Sequence, residues 1–179
     1  MVADNTQVIL VDEHDHPLGT IDKLEAHRQG VLHRAFSIFI FNKSGEMLLQ
    51  QRAMSKYHGG GLWSNACCGH PAPMEDILQA AHRRLKEEMG FDTHLQKAMD
   101  FIYKAEMDNG LTEHELDHVF IGEYNDDVHV NEDEVMDYEF MPLSEVRRSI
   151  ELDPNQYTPW LKIILDRVQD WLLTNKASA

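Results

Sequence analysis

Between Pro73 and Gly90 the chain carries an apolar stripe that only a helix can gather on one side. Ile77, Leu78, Ala81, Leu85 and Met89 recur at helical spacing, and no proline interrupts them. Pro71 and Pro73 forbid a helix before this run, and Gly90 supplies the positive φ with which helices end. The pattern predicts a helix over Glu75 to Met89. One face of that helix is apolar, so a second layer must cover it.

Strands supply that layer. Val8 to Val11 reads as a short strand, followed by a polar turn through Asp12 to Gly19. Ala35 to Phe41 and Met47 to Gln51 flank Asn42-Lys43-Ser44-Gly45, a hairpin signal. Gly59-Gly60-Gly61 marks a closely approached loop, and Leu62 to Cys68 reads as extended. Met99 to Met107 and Glu115 to Tyr124 are expected as strands around Asp108-Asn109-Gly110, with a further strand over Asp137 to Met141. Pro142 to Ile150 and Pro159 to Leu173 read as helices. Strands outnumber helices and the hairpins are antiparallel, which predicts a mixed α/β (α+β) sandwich. At 179 residues the whole chain, 1–179, is expected to form one domain.

Charge narrows the function. Sixteen basic against thirty-one acidic residues leave a net charge of −15. That field repels nucleic acid and anionic membranes, so a phosphate substrate would need a local cluster of cations or a bound metal. The longest mainly apolar run, Ala35 to Phe41, is too short to span a bilayer. The start of the chain lacks a basic segment followed by an apolar one, so the expected compartment is the cytosol. Cys67 and Cys68 are adjacent and cannot staple distant segments. Eleven histidines make a metal site worth seeking.

The helix carries chemistry as well as a stripe. Gly69, Glu75, Arg83, Leu85, Glu87, Glu88, Gly90 and Phe91 fall on fixed positions of the Nudix box, which this segment resembles. One position departs: Arg84 stands where that family has glutamate. The box gathers carboxylates so that a hard cation can hold a diphosphate, and magnesium binds through one or two carboxylates plus phosphate oxygens. Arg84 lies four residues before Glu88, on the same helix face. It lowers the capacity for several magnesium ions and adds a forked donor suited to a phosphate. The site reads as built to hold a diphosphate rather than to cut it.

Three further stretches narrow the resemblance: Trp63-Ser-Asn65-Ala-Cys-Cys68-Gly-His70-Pro71, Glu113-His-Glu115, and Asn131-Glu-Asp-Glu-Val-Met-Asp-Tyr138. With the box, they are similar to the type 1 isopentenyl-diphosphate isomerases from about Val8 to Trp160. The resemblance implies a Nudix-like mixed sheet sandwiched between helices. It also implies the reversible interconversion of isopentenyl and dimethylallyl diphosphate, a 1,3-allylic proton shift. Such a reaction protonates an unactivated double bond at one end and removes a proton from the other, so two acid/base groups must flank the substrate. The resemblance assigns those roles to Cys68 and Glu115, with Tyr103 beside Glu115; which of the two delivers the first proton stays open.

It also implies a metal site of His27, His33, His70, Glu113 and Glu115. A mixed N/O set of this size suits zinc, manganese or magnesium alike. Glu113 and Glu115, two apart in a strand, share a face, as two ligands of one ion must. Glu88 is expected to hold a diphosphate-bound Mg2+. Lys23, Arg52, Lys56 and Arg84 match basic residues that bind the diphosphate, and Trp160 matches a tryptophan that closes over the hydrocarbon. An indole face over a desolvated cation contributes about 2 kcal/mol. His14, His16, His58, His82, His94, His114, His118 and His129 read as surface residues. The expected partner is a small diphosphate, with the chain a monomer or weak dimer. A Nudix hydrolase or a non-catalytic metal-binding domain remains the alternative at this point.

Overall fold

A computed structural model describes residues 6–56 and 58–177, with side chains through residue 175. The elements run β1 (Gln7–Val11), β2 (Pro17–Asp22), α1 (Lys23–Gln29), β3 (His33–Phe41), β4 (Glu46–Arg52), β5 (Trp63–Ser64) and β6 (Cys67–Gly69). There follow α2 (Ile77–Met89), β7 (Gln96–Glu106), β8 (Thr112–Glu123), β9 (Val135–Pro142), α3 (Leu143–Leu152) and α4 (Pro159–Ala177). All strands join one mixed sheet organised on β3. Along one side of β3 runs β8, parallel, with His33 opposite Glu115. The other side is shared in turn by β1, β6 and β4, all antiparallel, with Ser37 opposite Cys68. β7 extends the sheet beyond β8, and β9 extends it beyond β4.

Alternation along β3 divides the core. Phe36, Ile38 and Ile40 face α2, where they meet Leu85, Met89, Ala81 and Cys67. Phe39 and Phe41 face the opposite way, toward Trp160, Leu161, Ile164 and Val168 of α4 and Val146 of α3. Helices therefore cover both faces, as the sequence predicts. Truncating a fully buried leucine such as Leu85 to alanine costs about 2–5 kcal/mol. Helix α2 starts at Ile77, because the Asp76 side chain caps it by accepting the Gln79 N–H. It ends where Gly90 adopts φ 74°; a side chain there would also strike the His129 carbonyl. The hairpin turn is set by Asn42, whose side-chain oxygen accepts the Ser44 and Glu46 N–H groups.

Several expectations are corrected. The turn read through Gly19 stops earlier, because β2 begins at Pro17 and pairs with β1. Almost all of β2 is exposed, so it carries no apolar alternation to detect. Helix α1, which carries His27, adds to the elements expected, and β3 opens at His33, two residues before the strand read from Ala35. The extended stretch over Leu62 to Cys68 is broken at Asn65-Ala66 into β5 and β6. Leu78, assigned to the apolar stripe, is 38% exposed, while Ala80 and Glu88 are buried instead.

Candidate active site

Strand parity builds the floor. Residues two apart share a face, so β8 projects Glu113, Glu115 and Asp117 to one side of the sheet. Tyr103 on β7 is the direct cross-strand partner of Glu115 and stands on that side too. On β3 the same parity aligns His33 with Ser37. Helix α1, capped by the Asp22 side chain and closed by Gly30 at φ 67°, delivers His27 beneath Glu113. All five carboxylate and imidazole side chains expected as ligands therefore converge. His27, His33, His70 and Glu115 each offer a ligand atom within 4.8 Å of one another, and Glu113 reaches His27 at 3.2 Å.

The donor chemistry fits a cation. His27 Nδ1–H donates to the Lys23 carbonyl at 2.7 Å, and His33 Nδ1–H donates to the Val31 carbonyl at 2.9 Å. A ring whose Nδ1 is spent as a donor presents its Nε2 as a bare lone pair. Those lone pairs point at carboxylate oxygens: His27 Nε2 at Glu113 Oε2, 3.2 Å, and His33 Nε2 at Glu115 Oε1, 3.7 Å. Two lone pairs repel unless a positive charge lies between them. His33 supplies none of its own, because burial drops its imidazole to about 4. His33 Nε2 is moreover buried without a hydrogen-bond partner. Fixing the ring through Nδ1 is also how metal-ligating histidines are oriented.

The protein's own charges are arranged around that gap. Burial pushes the Glu115 carboxyl well above the usual range, and the neighbouring Glu113 charge adds to this. Burial acts on Glu113 as well, but its contacts with Glu115, His27 and His58 outweigh it and hold Glu113 low. Cys68 Sγ lies 3.3 Å from Asn65 Oδ1 and 3.7 Å from Ser37 Oγ, and Ser37 donates to Asp117 at 2.6 Å. Burial, reinforced by the Asp117 charge, pushes the Cys68 thiol up to about 12. At neutral pH it is therefore a thiol, able to give a proton. Cys67 points the other way, fully buried in the α2 core.

Above this floor opens a cavity of about 610 Å³. Lys23, Arg52, Lys56 and Arg84 all line it, together with Cys68, His70, Tyr103, Glu113, Glu115, Glu88 and Trp160. Arg84 donates at once to Glu87, Glu88 and Glu134, and Lys56 approaches Glu134 at 3.3 Å. Thus Arg84 neutralises a carboxylate rim rather than standing free. Arg83 instead grips Glu75 through two hydrogen bonds of 2.9 Å, which ties the entry loop to α2. The Trp160 indole N–H donates to Ser64 Oγ and Asn65 Oδ1, and the Arg52 guanidinium lies 5.4 Å from its ring centroid.

Reading by sequence missed part of the site. His58 and His118, taken as surface residues, are each only 5% exposed. His58 Nε2 stands 2.6 Å from Glu113 Oε1, within the site, whereas His118, on the opposite face of β8, stands 3.0 Å from Asp15 Oδ2 and belongs to no part of it. Ser37 and Asp117 were not singled out, and Asn65 and Glu134 stood only inside longer motifs, with no role of their own. For Asp117 the signal was available, since it continues the Glu113, Glu115 parity along β8. Among the described residues, no helix is long and apolar enough to cross a membrane.

Comparison with known proteins gives this cavity a family. The NUDIX domain family matches residues 31–161. A Pectobacterium atrosepticum protein named isopentenyl-diphosphate Delta-isomerase is 49% identical, over 93% of each chain. A Photorhabdus laumondii isopentenyl-diphosphate Delta-isomerase 2 is 51% identical, over 89% of this chain and 90% of the relative. Among solved structures, a Deinococcus radiodurans protein superposes with a TM-score of 0.70 at 17% identity, covering 82% of this chain and 90% of its own. A MutT protein from Methanosarcina mazei gives 0.65 at 19% identity, covering 81% and 96%. At such identities these structures speak for the fold alone.

Proposed function

The chain belongs to the isopentenyl-diphosphate Delta-isomerases of the Nudix superfamily, and from that premise we propose how its own residues carry out the reaction. It is an isomerase that converts isopentenyl diphosphate to dimethylallyl diphosphate and back. Cys68 and Glu115 act as the acid/base pair. One gives a proton to the terminal methylene, which leaves a tertiary, carbocation-like centre, and the other takes a proton from the carbon on its far side. Each is acid in one direction and base in the other, because the reaction is reversible. The observation that carries this reading is the Cys68 thiol, held protonated by burial, and the Glu115 carboxyl facing one cavity rimmed by lysine and arginine. A thiolate or a row of free carboxylates would suit attack on phosphorus instead.

The other residues bind, orient and exclude water. Lys23, Arg52, Lys56 and Arg84 hold the diphosphate, and Glu88 would hold a Mg2+ that supplies it with further positive charge. Tyr103, opposite Glu115, borders the path of the proton. Trp160 covers the hydrocarbon with its indole face and keeps water from the cationic centre, which water would quench. His27, His33, His70, Glu113 and Glu115 would hold a divalent Mn2+, Zn2+ or Mg2+. When bound, that ion supplies positive charge that lowers the carboxyl of Glu115 and fixes its orientation. We also infer a cytosolic monomer or weak dimer acting on a small diphosphate.

Incubation with isopentenyl diphosphate and Mg2+ tests the reading directly. An acid-labile allylic diphosphate should accumulate without released phosphate. Phosphate without allylic product would point to hydrolysis and overturn the roles given to Cys68 and Glu115.

A further inference from the structure

Two groups of donors lie side by side and share a member. One is His27, His33, His70 and Glu115; the other is His27, His58 and Glu113. They cannot both hold an ion at once through His27. Its Nδ1 is committed to the Lys23 carbonyl, so Nε2 offers a single lone pair, and one lone pair serves one ion. What remains for His58 is the carboxylate between the two groups. Glu113 turns Oε2 to His27 Nε2, at 3.2 Å, and Oε1 to His58 Nε2, at 2.6 Å.

We propose that His58 is a positioning residue of the metal centre: its Nε2–H donates to Glu113 Oε1 and so turns Oε2 toward the ion. This rests on the reading that the His/Glu cluster holds one divalent ion. Three features suit His58 to the task. It is buried, so water does not compete for the carboxylate. Its backbone carbonyl accepts a hydrogen bond from Arg52 at 3.2 Å, which fixes the loop that carries it. Its ring meets Trp160 edge-on, at 6.3 Å and 82°, which fixes the plane of the imidazole. His58 thereby joins three parts of the site: a diphosphate cation, the aromatic cover and a metal carboxylate. Partners behind a ligand commonly tune affinity about 10–100-fold.

Titration with Co2+, followed by its d–d absorption, tests this without reference to turnover. The wild-type chain should bind one Co2+ at the cluster, and His33→Ala should abolish that signal. His58→Ala should still bind one ion, with Kd raised about 10–100-fold. His58→Gln, whose amide N–H can reach the same carboxylate, should recover most of the affinity. Should His58→Ala fail to fold, His58→Gln against His58→Leu makes the comparison at similar bulk, with and without the donor. Unchanged affinity in His58→Ala or His58→Leu would overturn the proposal while leaving the metal centre intact. A second Co2+ in the wild type that is lost in His58→Ala would overturn it too, by making His58 a ligand. Equal signals from wild type and His33→Ala would overturn the metal centre itself, and this proposal with it.

Discussion

Replacing Arg84 by glutamate restores the general Nudix box, and the structure gives the cost. Arg84 donates to Glu87, Glu88 and Glu134 together, and its side chain is only 20% exposed. Of the three acceptors Glu88 is the most buried, at 6% side-chain exposure against 24% for each of the others. Without Arg84 it keeps Gln50 Nε2 at 2.9 Å and the Lys56 ammonium at 3.8 Å. Removing one partner of a buried ion pair costs about 3–5 kcal/mol. The two half-exposed partners add no more than about 1 kcal/mol each, and Lys56 offsets part of the total. A net loss of about 4 kcal/mol is expected for Arg84→Glu in chelator, which lowers Tm by about 8–16 °C in a chain of this size. Excess Mg2+ should restore at least half of it, because four clustered carboxylates then have a cation to share. In the same variant KM for isopentenyl diphosphate should rise, and rise less at high Mg2+. Thermal melts in chelator and in Mg2+, with KM measured alongside, decide it. A loss below about 1 kcal/mol, or melts indifferent to Mg2+, would refute the electrostatic reasoning. An unchanged KM would remove Arg84 from diphosphate binding.

Glu115→Gln keeps the shape and one ligand oxygen but removes the titrating group; turnover should fall at least about 10²-fold with metal still bound. Near-normal turnover would leave Glu115 a ligand only. Cys68→Ala should nearly abolish isomerisation with the fold intact, whereas Cys67→Ala should cost about 1–2 kcal/mol of stability and little activity. An epoxide carrying the diphosphate should label Cys68, and peptide mapping that found the label on Cys67, with Cys68→Ala active, would reverse the assignment. Glu75 is held below the usual carboxylate range, first by its Arg83 hydrogen bonds. Its contribution is therefore complete above the unfolded value of about 4.3 and is lost as pH falls through the lower folded value. Acid unfolding of Glu75→Gln should be less steep than wild type across that window; identical profiles would count against the pair.

Some of the site was readable because its signals are local. The α2 stripe and its terminators lie within one segment, and the Nudix-box residues follow from their offsets along the chain from Gly69 to Phe91. The Glu113/Glu115 pairing follows from strand parity. So does the separation of the two thiols, which sends Cys67 into the α2 core and leaves Cys68 on the cavity side. Where sequence reading failed, the local signal was faint. Helix α1 has only seven residues, too few for a visible stripe, and announces itself only by Asp22 as N-cap and Gly30 as C-cap. His58 sits beside a run of glycines whose composition says loop and nothing about burial.

The sequence by itself determined which residues are chemically able to act and which neighbours in the chain share a face. That follows from bond geometry, which repeats every two residues in a strand and every 3.6 in a helix. Tertiary structure alone decided what those faces meet. β3 aligns His33 with Glu115 on one side and Ser37 with Cys68 on the other, across chain separations no periodicity encodes. It buried His58 against Glu113 and gathered three carboxylates on Arg84. Burial and the charges brought near then set the protonation of Cys68, Glu113 and Glu115, because desolvation and Coulomb energies depend on surroundings that exist only once the chain has folded.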